Sequence, residues 1–347
     1  MTEAPEPEMI ARKQGRAGWL TFNRPKALNA LSHDMALVIE SALDDWREDE
    51  EVQIVLIDAA GDRAFCAGGD IAAVYHAGRA GDYTLGREFW RDEYRMNAKI
   101  ADYPKPIVAF MQGFVMGGGV GVGGHARHRI VGESTQVSMP ESGIGLIPDV
   151  GGTLILARAP GYLGEYLGVT GARMDAGDAI HAGFADAFVP EADWPALKDR
   201  LIDTGDPGVI PAHPAPASRL ADHQAAVDAA FGGADLASIV AALQAQGDAF
   251  AAETLKPIGR NSALSMAATL ALVRMTRANP TIRAALSHEF RFTWRACAQG
   301  DFLEGVRAQI IDKDRNPRWQ HTIDSLRPQE VAAMLEPLGP EAAIWEE

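Results

Sequence analysis

Apolar positions along this chain change their period several times. Residues 8–22 alternate in strand fashion around Gly15 and stop at Asn23-Arg24-Pro25, a turn signal. Ser32 can cap a helix in which Met35, Val38, Ala42 and Trp46 recur at helical spacing. The run DDWREDEE over 44–51 then reads as a solvated helix end. Three short runs are apolar without alternation: Ile54-Val55-Leu56-Ile57, Ile107 to Met111, and Ile130-Val131 after Arg129. Strands of that kind are covered on both faces, and their alternation with helices predicts an α/β core.

Residues 106–124 carry no charge and could mimic a membrane span. Seven of the nineteen are Gly and Gln112 interrupts them, so the stretch reads as a buried strand entering a glycine-rich turn. The Pro- and Ala-rich segment GDPGVIPAHPAPASRL (205–220) reads as a long connection. Beyond it, helical patterns cover 236–255, 262–278, 281–298 and 301–312 with little strand pattern. The expected organisation is a core over 1–205 that carries the active site, followed by a mainly helical region over 206–347.

Composition narrows the function. The 347 residues are 47% hydrophobic and 23% charged, a globular balance. Lys and Arg number 32 against 47 Asp and Glu, a net charge of −15, which argues against a nucleic-acid partner and against docking on anionic membranes. An anionic ligand must therefore meet a local basic patch. Cys66 and Cys297 cannot build a disulfide framework, so a reducing, cytoplasmic location is expected. The N-terminal MTEAPEPEMIARK has no apolar stretch, and no signal peptide is expected there.

Candidate chemistry concentrates in three places. Ala64-Phe65-Cys66-Ala67-Gly68-Gly69-Asp70-Ile71 and Met116-Gly117-Gly118-Gly119-Val120-Gly121 are both glycine-rich and both follow strands. Such loops either pack tightly or let a ligand approach backbone N–H groups; two converging on one point would make an oxyanion hole. Asp70 is placed to cap a helix starting at Ile71, and Cys66, with no adjacent base, reads as a packed thiol. The third place is Ser138-Met139-Pro140-Glu141 through Asp149-Val150-Gly151-Gly152-Thr153. Its two carboxylates lie in a Gly/Pro-rich loop among apolar residues, where burial can push their pKa values apart for acid/base or nucleophilic work. The alternative is that they cap helices or hold turns. Gly119, Gly121 and Gly124 satisfy G-x-G-x-x-G but do not stand at a strand end, and His125 and His128 have no third metal ligand nearby, so neither a dinucleotide nor a metal is expected.

Taken together, Asn23-Arg24-Pro25-Lys26-Ala27-Leu28-Asn29, AFCAGGDI, MGGGVG and MPESGIGLIPDVGGT resemble the enoyl-CoA hydratase/isomerase (crotonase) superfamily, and most of all its 3-hydroxyisobutyryl-CoA hydrolase branch. Phe89 to Asn97 is similar to that branch's F-x-x-E-Y-x-x-N segment, as is DFLEGVRAQIIDKDRNPRW over 301–319. The resemblance implies a spiral of ββα units followed by helices, and an acyl-CoA thioester as substrate with no separate cofactor. It places oxyanion donors on Gly69 and Gly118, catalytic acids on Glu141 and Asp149, and substrate contacts on Glu93, Ala67 and Gly117. CoA contacts would fall on Arg24, Lys26, Ala27, Leu28 and Arg63. The family's hydratases use two glutamates to add water. The first falls on Gly121 here, and where they commonly carry Gly this chain has Asp149, which moves the expectation from hydration to hydrolysis, in valine degradation. Where relatives place a Lys in 262–278, this chain has Met266, with Arg260 upstream. Crotonases often assemble through C-terminal helices, so a homo-oligomer is one expectation; the longer C-terminal part of the hydrolase branch, able to cover its own core, is the other.

Overall fold

The computed structural model describes residues 6–345. Residues 1–5, part of the segment inspected above for a signal peptide, and 346–347 lie outside the described residues. The chain forms two compact units, each assembled from several stretches. The first is Met1–Asp70, Arg95–Val137 and Met174–Ala217; the second is Ile71–Tyr94, Ser138–Arg173 and Ser218–Glu347. The expected division at 205/206 falls inside the first unit.

Among the described residues nine strands form in chain order: β1 (Met9–Gln14), β2 (Ala17–Phe22), β3 (Ile54–Ala59), β4 (Ala64–Cys66), β5 (Ile107–Met111), β6 (Phe114–Met116), β7 (His128–Val131), β8 (Gln136–Ser138) and β9 (Ala187–Phe188). Five helices bear on the chemistry: α1 (His33–Arg47), α2 (Ala72–Arg79), α3 (Thr84–Ala101), α4 (Gly118–Gly123) and α5 (Gly152–Arg158). A six-stranded sheet runs β1-β2-β3-β5-β7-β9, and a three-stranded sheet runs β4-β6-β8. Only the β1–β2 hairpin pairs antiparallel in the larger sheet; β2 to β9 pair parallel. In chain order this is a repeat, β3-β4-α2, β5-β6-α4, then β7-β8 followed by a turn and α5. The first strand of each repeat joins the larger sheet and the second joins the smaller one. The chain is thus an α/β spiral of ββα turns, as expected.

The continuous apolar strands are buried on both sides. Ile54, Leu56, Val108, Phe110 and Ile130 form one core with Trp194, Leu197, Leu201 and Ile202 of the helix Trp194–Thr204. On the other side, Phe22 meets Phe65 of the small sheet edge to face, ring centres 5.2 Å apart. A core of this kind is stabilised by roughly 1.5–3 kcal/mol for each fully buried large side chain. The charge-free stretch 106–124 is strand, turn, strand and glycine helix, and the Gln112 amide N–H group donates to the carbonyls of Ala59 (2.9 Å) and Gly61 (3.0 Å). Among the described residues no helix is long and apolar enough to cross a membrane.

Ser32 caps α1, its hydroxyl accepting from Met35 N–H. Three local readings are corrected. Asp70 does not cap α2, whose N-cap is Ile71 with no side-chain hydrogen bond; Asp70 instead pairs with Arg24 at 3.0 Å, because an ion pair was within reach. The pattern over 236–255 breaks into helices Leu236–Gln246 and Ala249–Ile258 at Gly247, which is left-handed (φ 63°), and Asp248, which caps the second. The pattern over 301–312 is a short helix, Phe302–Val306, followed by a π turn over Arg307–Ile311.

The second unit is mainly helical. Helix Ala263–Ala278 packs against α5 and helix Leu163–Thr170. Small residues permit the close approach: a Cβ on Gly168 would stand 2.7 Å from the Thr269 methyl. Arg277 holds buried Glu165 through two bonds of 2.6 and 2.8 Å.

Candidate active site

In the first unit, the two glycine-rich loops leave the C-terminal ends of neighbouring parallel strands, β4 and β6. Gly117 begins the turn into α4 with φ 47° and ψ −118°, a conformation closed to side chains with a Cβ. Gly119 lets α4 lie on β4, since a Cβ there would stand 2.2 Å from the Cys66 carbonyl oxygen. Backbone bonds knit the first loop to residues 28–31: Ala67 N–H donates to Leu28 O (3.1 Å), Leu31 N–H to Gly68 O (2.9 Å) and Asp70 N–H to Leu31 O (2.8 Å). The N–H groups of Gly69 and Gly118 donate to no backbone acceptor among the described residues. Both glycines follow the second strand of successive ββα repeats, β4 and β6. The Cys66 thiol donates to Gly68 O at 3.5 Å, a packed thiol as expected.

The residues expected to meet CoA lie around these loops. Arg24 is engaged on all sides: it pairs with Glu8 and Asp70, both at 3.0 Å, and donates to Ala30 O at 2.9 Å. Lys26 and Ala27 are exposed on a 3-10 turn, Leu28 is half-buried, and Arg63 is exposed. Buried Asn29 fixes this segment by donating to Ala60 O and Ala64 O at 3.0 and 2.8 Å. Met266 is fully buried and Arg260 exposed, so of the two only Arg260 is available to a solvent-borne anion. Gly119 and Gly121 lie within α4, as packing glycines rather than a dinucleotide turn. Among the described residues no three metal-ligating side chains converge.

The second unit gathers carboxyl groups. Glu141 opens a 3-10 turn, Glu141–Ile144, held by Ser142: its hydroxyl donates to Gly168 O and its carbonyl accepts from Ser262 N–H, both at 3.0 Å. Asp149 precedes two left-handed residues, Val150 (φ 55°) and Gly151 (φ 76°). A β-branched residue there costs on the order of 1–3 kcal/mol, so the turn is held by its surroundings. The α5 N-cap is Gly151, and the Asp149 side chain does not cap the helix. It accepts from the Tyr94 hydroxyl at 2.8 Å instead. Tyr94 and Glu93 are adjacent on α3, and Glu93, Tyr94, Glu141 and Asp149 are all buried.

Burial sets the protonation of this group. It raises the carboxyls of Glu93 and Glu141 well above the usual range, and the charge of Asp149 raises both further. Asp149 itself is pushed up to about 7 by burial, with the Tyr94 hydrogen bond pulling it down. Burial thus works against the charge on all three carboxyls, and at Asp149 the hydroxyl of Tyr94 works for it. One oxygen of Glu93, Oε1, and one of Glu141, Oε2, have no hydrogen-bond partner among the described residues. Such orphaned buried oxygens call for a polar group on a ligand. The set suits acid/base chemistry, with one carboxyl poised to take a proton that another gives up.

Two residues of this cluster were not among those expected to act. Tyr94 lies within the Phe89–Asn97 motif but had no role assigned. Glu289, on the helix Ile282–Gln299, is fully buried and accepts from Gly151 N–H (2.7 Å) and Thr153 N–H (3.0 Å). A glutamate inside the apolar stripe Ile282, Ala285, Leu286, Phe290 was a readable signal.

Comparison with known proteins adds the following. The family model for enoyl-CoA hydratase/isomerase matches residues 17–335. A relative from Xenopus tropicalis, "3-hydroxyisobutyryl-CoA hydrolase, mitochondrial", is 39% identical over 90% of this chain and 84% of its own. The Homo sapiens protein of the same name is 37% identical over 92% and 85%. Among solved structures, an enoyl-CoA hydratase from Rhodobacter sphaeroides 2.4.1 superposes with a TM-score of 0.93 and 56% identity over 96% of this chain and 99% of its own. A carnitinyl-CoA dehydratase from Mycobacterium thermoresistibile gives 0.94 and 40% over 99% and 100%.

Proposed function

Because this chain belongs to the enoyl-CoA hydratase/isomerase family, we propose that it is an acyl-CoA thioester hydrolase, acting on 3-hydroxyisobutyryl-CoA or a close 3-hydroxyacyl analogue to release the free acid and CoA. The observation that carries this reading is the buried pair Glu141 and Asp149, with Asp149 receiving the hydrogen bond of the Tyr94 hydroxyl. The hydrolase names of relatives covering nine-tenths of the chain support it. The place where the family's hydratases carry their first glutamate is Gly121, inside α4.

The N–H groups of Gly69 and Gly118 stabilise the oxyanion that develops on the thioester carbonyl; one such donor is typically worth about 2.7–4 kcal/mol of barrier. In this mechanism Glu141 starts with the proton and Asp149 with the charge, since Asp149 is the one that receives the Tyr94 hydroxyl. Passage of that proton to Asp149 frees Glu141 either to attack the carbonyl carbon, giving an acyl-enzyme anhydride that water opens, or to activate water directly. The C–S bond breaks, and the proton held by Asp149 goes to the departing thiolate. Glu93, with its unpaired Oε1, accepts the 3-hydroxyl of the acyl group. A site built to pair a hydroxyl discriminates against chains that lack it far better than it discriminates by one methyl, typically only about 1–3 kcal/mol. Exposed Lys26 and Arg63 offer charge to the anionic CoA. Two buried cysteines, too few for a disulfide framework, support a reducing compartment, and the cytoplasm is the proposed one.

The "enoyl-CoA hydratase" name of the 56% identical structure favours a second reading, water addition to an unsaturated acyl-CoA. Release of free thiol from 3-hydroxyisobutyryl-CoA, measured beside loss of the double bond in an unsaturated acyl-CoA, separates the two. The proposal expects thiol release alone; hydration without thiol release would replace it.

A further inference from the structure

The turn behind Asp149 is not one that its own residues favour. Val150 is β-branched and left-handed at φ 55°, Gly151 follows at 76°, and α5 starts only at Gly152. Glu289 reaches this turn from the helix Ile282–Gln299, where it lies among Ala285, Leu286, Phe290 and Thr293. Its Oε2 accepts from Gly151 N–H at 2.7 Å, and its Oε1 accepts from Thr153 N–H at 3.0 Å and also from the Thr153 hydroxyl. The Thr153 hydroxyl lies 3.2 Å from that of Thr276, which extends the chain of bonds to a third helix. Two of these three donors are the backbone groups that an α-helix leaves unpaired at its start. On the opposite side of the turn, Asp149 meets Tyr94, whose hydroxyl also lies 3.3 Å from Thr293, one helical turn beyond Glu289.

We infer that Glu289 is a positioning residue for the proposed hydrolysis: by accepting from both Gly151 and Thr153 it locks the left-handed turn in the one conformation that delivers the Asp149 carboxylate to Tyr94 and to the reacting groups. The inference rests on the hydrolase reading above. Both carboxyl oxygens serve the turn, Oε2 accepting from Gly151 N–H and Oε1 from Thr153 N–H, and these bonds oppose the burial that pushes this carboxyl up to about 8. An amide in its place turns one end into a donor, which faces either the Gly151 or the Thr153 N–H. An alanine leaves all three donors buried without an acceptor. Glu289 acts through the turn, and a displacement of the catalytic group of about 1 Å typically costs on the order of 10²-fold in rate.

The isosteric variant Glu289→Gln tests this, with Glu289→Asp, which keeps a carboxyl group on a shorter arm, beside it. Two readouts are needed: kcat and KM for thiol release from 3-hydroxyisobutyryl-CoA, and hydrogen exchange of the segment 150–153 followed by mass spectrometry. The expected result for Glu289→Gln is a fall in kcat of about 10²-fold with KM within about threefold, faster exchange at 150–153, and part of both recovered in Glu289→Asp. Faster exchange with unchanged kcat makes Glu289 a structural residue only and overturns the inference. A fall in kcat with unchanged exchange overturns the route through the turn. If the unaltered protein releases no thiol, the hydrolase reading fails, and the exchange result alone decides whether Glu289 holds the turn.

Discussion

Tyr94 and Asp149 stand 55 residues apart in the chain, yet the Tyr94 hydroxyl donates a 2.8 Å hydrogen bond to Oδ2 of Asp149 inside the second unit. That bond opposes the burial that would otherwise keep Asp149 protonated at neutral pH. Hydrogen bonds to charged groups are worth about 1.5–3 kcal/mol. Tyr94→Phe removes the donor and leaves the ring in place, so Asp149 titrates above about 7. Activity that needs an ionised Asp149 then survives only at higher pH. The acidic limb of kcat/KM against pH is expected to move upward, with a loss of roughly 10-fold or more at neutral pH. A limb that stays in place would separate Tyr94 from the protonation of Asp149.

The same carboxyl makes the fold pH-sensitive. Asp149 is raised from 3.8 to about 7 in the folded protein, so between these values the folded state holds a proton that the unfolded chain has released. Stability therefore falls as pH rises through that window. Asp149→Asn cannot titrate, and it also relieves Glu93 and Glu141 of a neighbouring charge. The variant is expected to resist urea better than the parent at about pH 8, by a few kcal/mol, since each tenfold change in proton affinity is worth about 1.4 kcal/mol. The advantage should shrink as the pH approaches about 5. It should come with loss of activity.

Gly119→Ala tests the donor side. A Cβ 2.2 Å from the Cys66 carbonyl oxygen has no room, and rigid backbone cannot yield as a side-chain end would. The start of α4 must move off β4 and take the Gly118 N–H with it. Loss of one oxyanion donor typically lowers kcat by about 10²–10³-fold. Thiol release should fall by that order while circular dichroism shows the helices retained. Full activity would show that the Gly118 donor is not used.

Rupture of the ion pair between Glu165 and Arg277 should be felt in stability. Glu165 is fully buried, and Arg277 meets it with two short bonds. Arg277→Ala removes both short bonds and leaves the buried carboxylate facing only Arg274, 3.9 Å away, a change expected to cost up to about 3–5 kcal/mol. The denaturation midpoint in urea should drop accordingly. Replacing both residues, by Arg277→Met with Glu165→Leu, should recover most of the loss.

The reach of sequence patterns explains which parts of the molecule could be foreseen. Ile54–Ala59 and Ile107–Met111 are apolar at nearly every position because both faces are covered, and that signal survives without coordinates. Ser32 announced the start of α1 because a cap acts over three residues. Asp70 sent the same local signal, and Arg24, 46 residues away in the chain, answered it instead. Glu141 and Asp149 were singled out by their apolar loop, but between capping and chemistry the loop alone was neutral. What decides for Asp149 is a hydroxyl from α3. Tyr94 itself reads as one more aromatic on the apolar face of a helix, and Glu289 as one acid in an apolar stripe. Their partners lie 55 and at least 136 residues away, beyond any periodicity.

The central claim is that Glu141 drives release of the thiol from a 3-hydroxyacyl-CoA. The most direct measurement is the rate of free-thiol appearance from 3-hydroxyisobutyryl-CoA with the parent protein and with Glu141→Gln side by side. Glu141→Gln keeps the shape of the turn and removes the base. The account predicts steady thiol release by the parent and a loss of about 10²–10⁴-fold in the variant. Equal rates in the two proteins, or no thiol released by the parent, would contradict it.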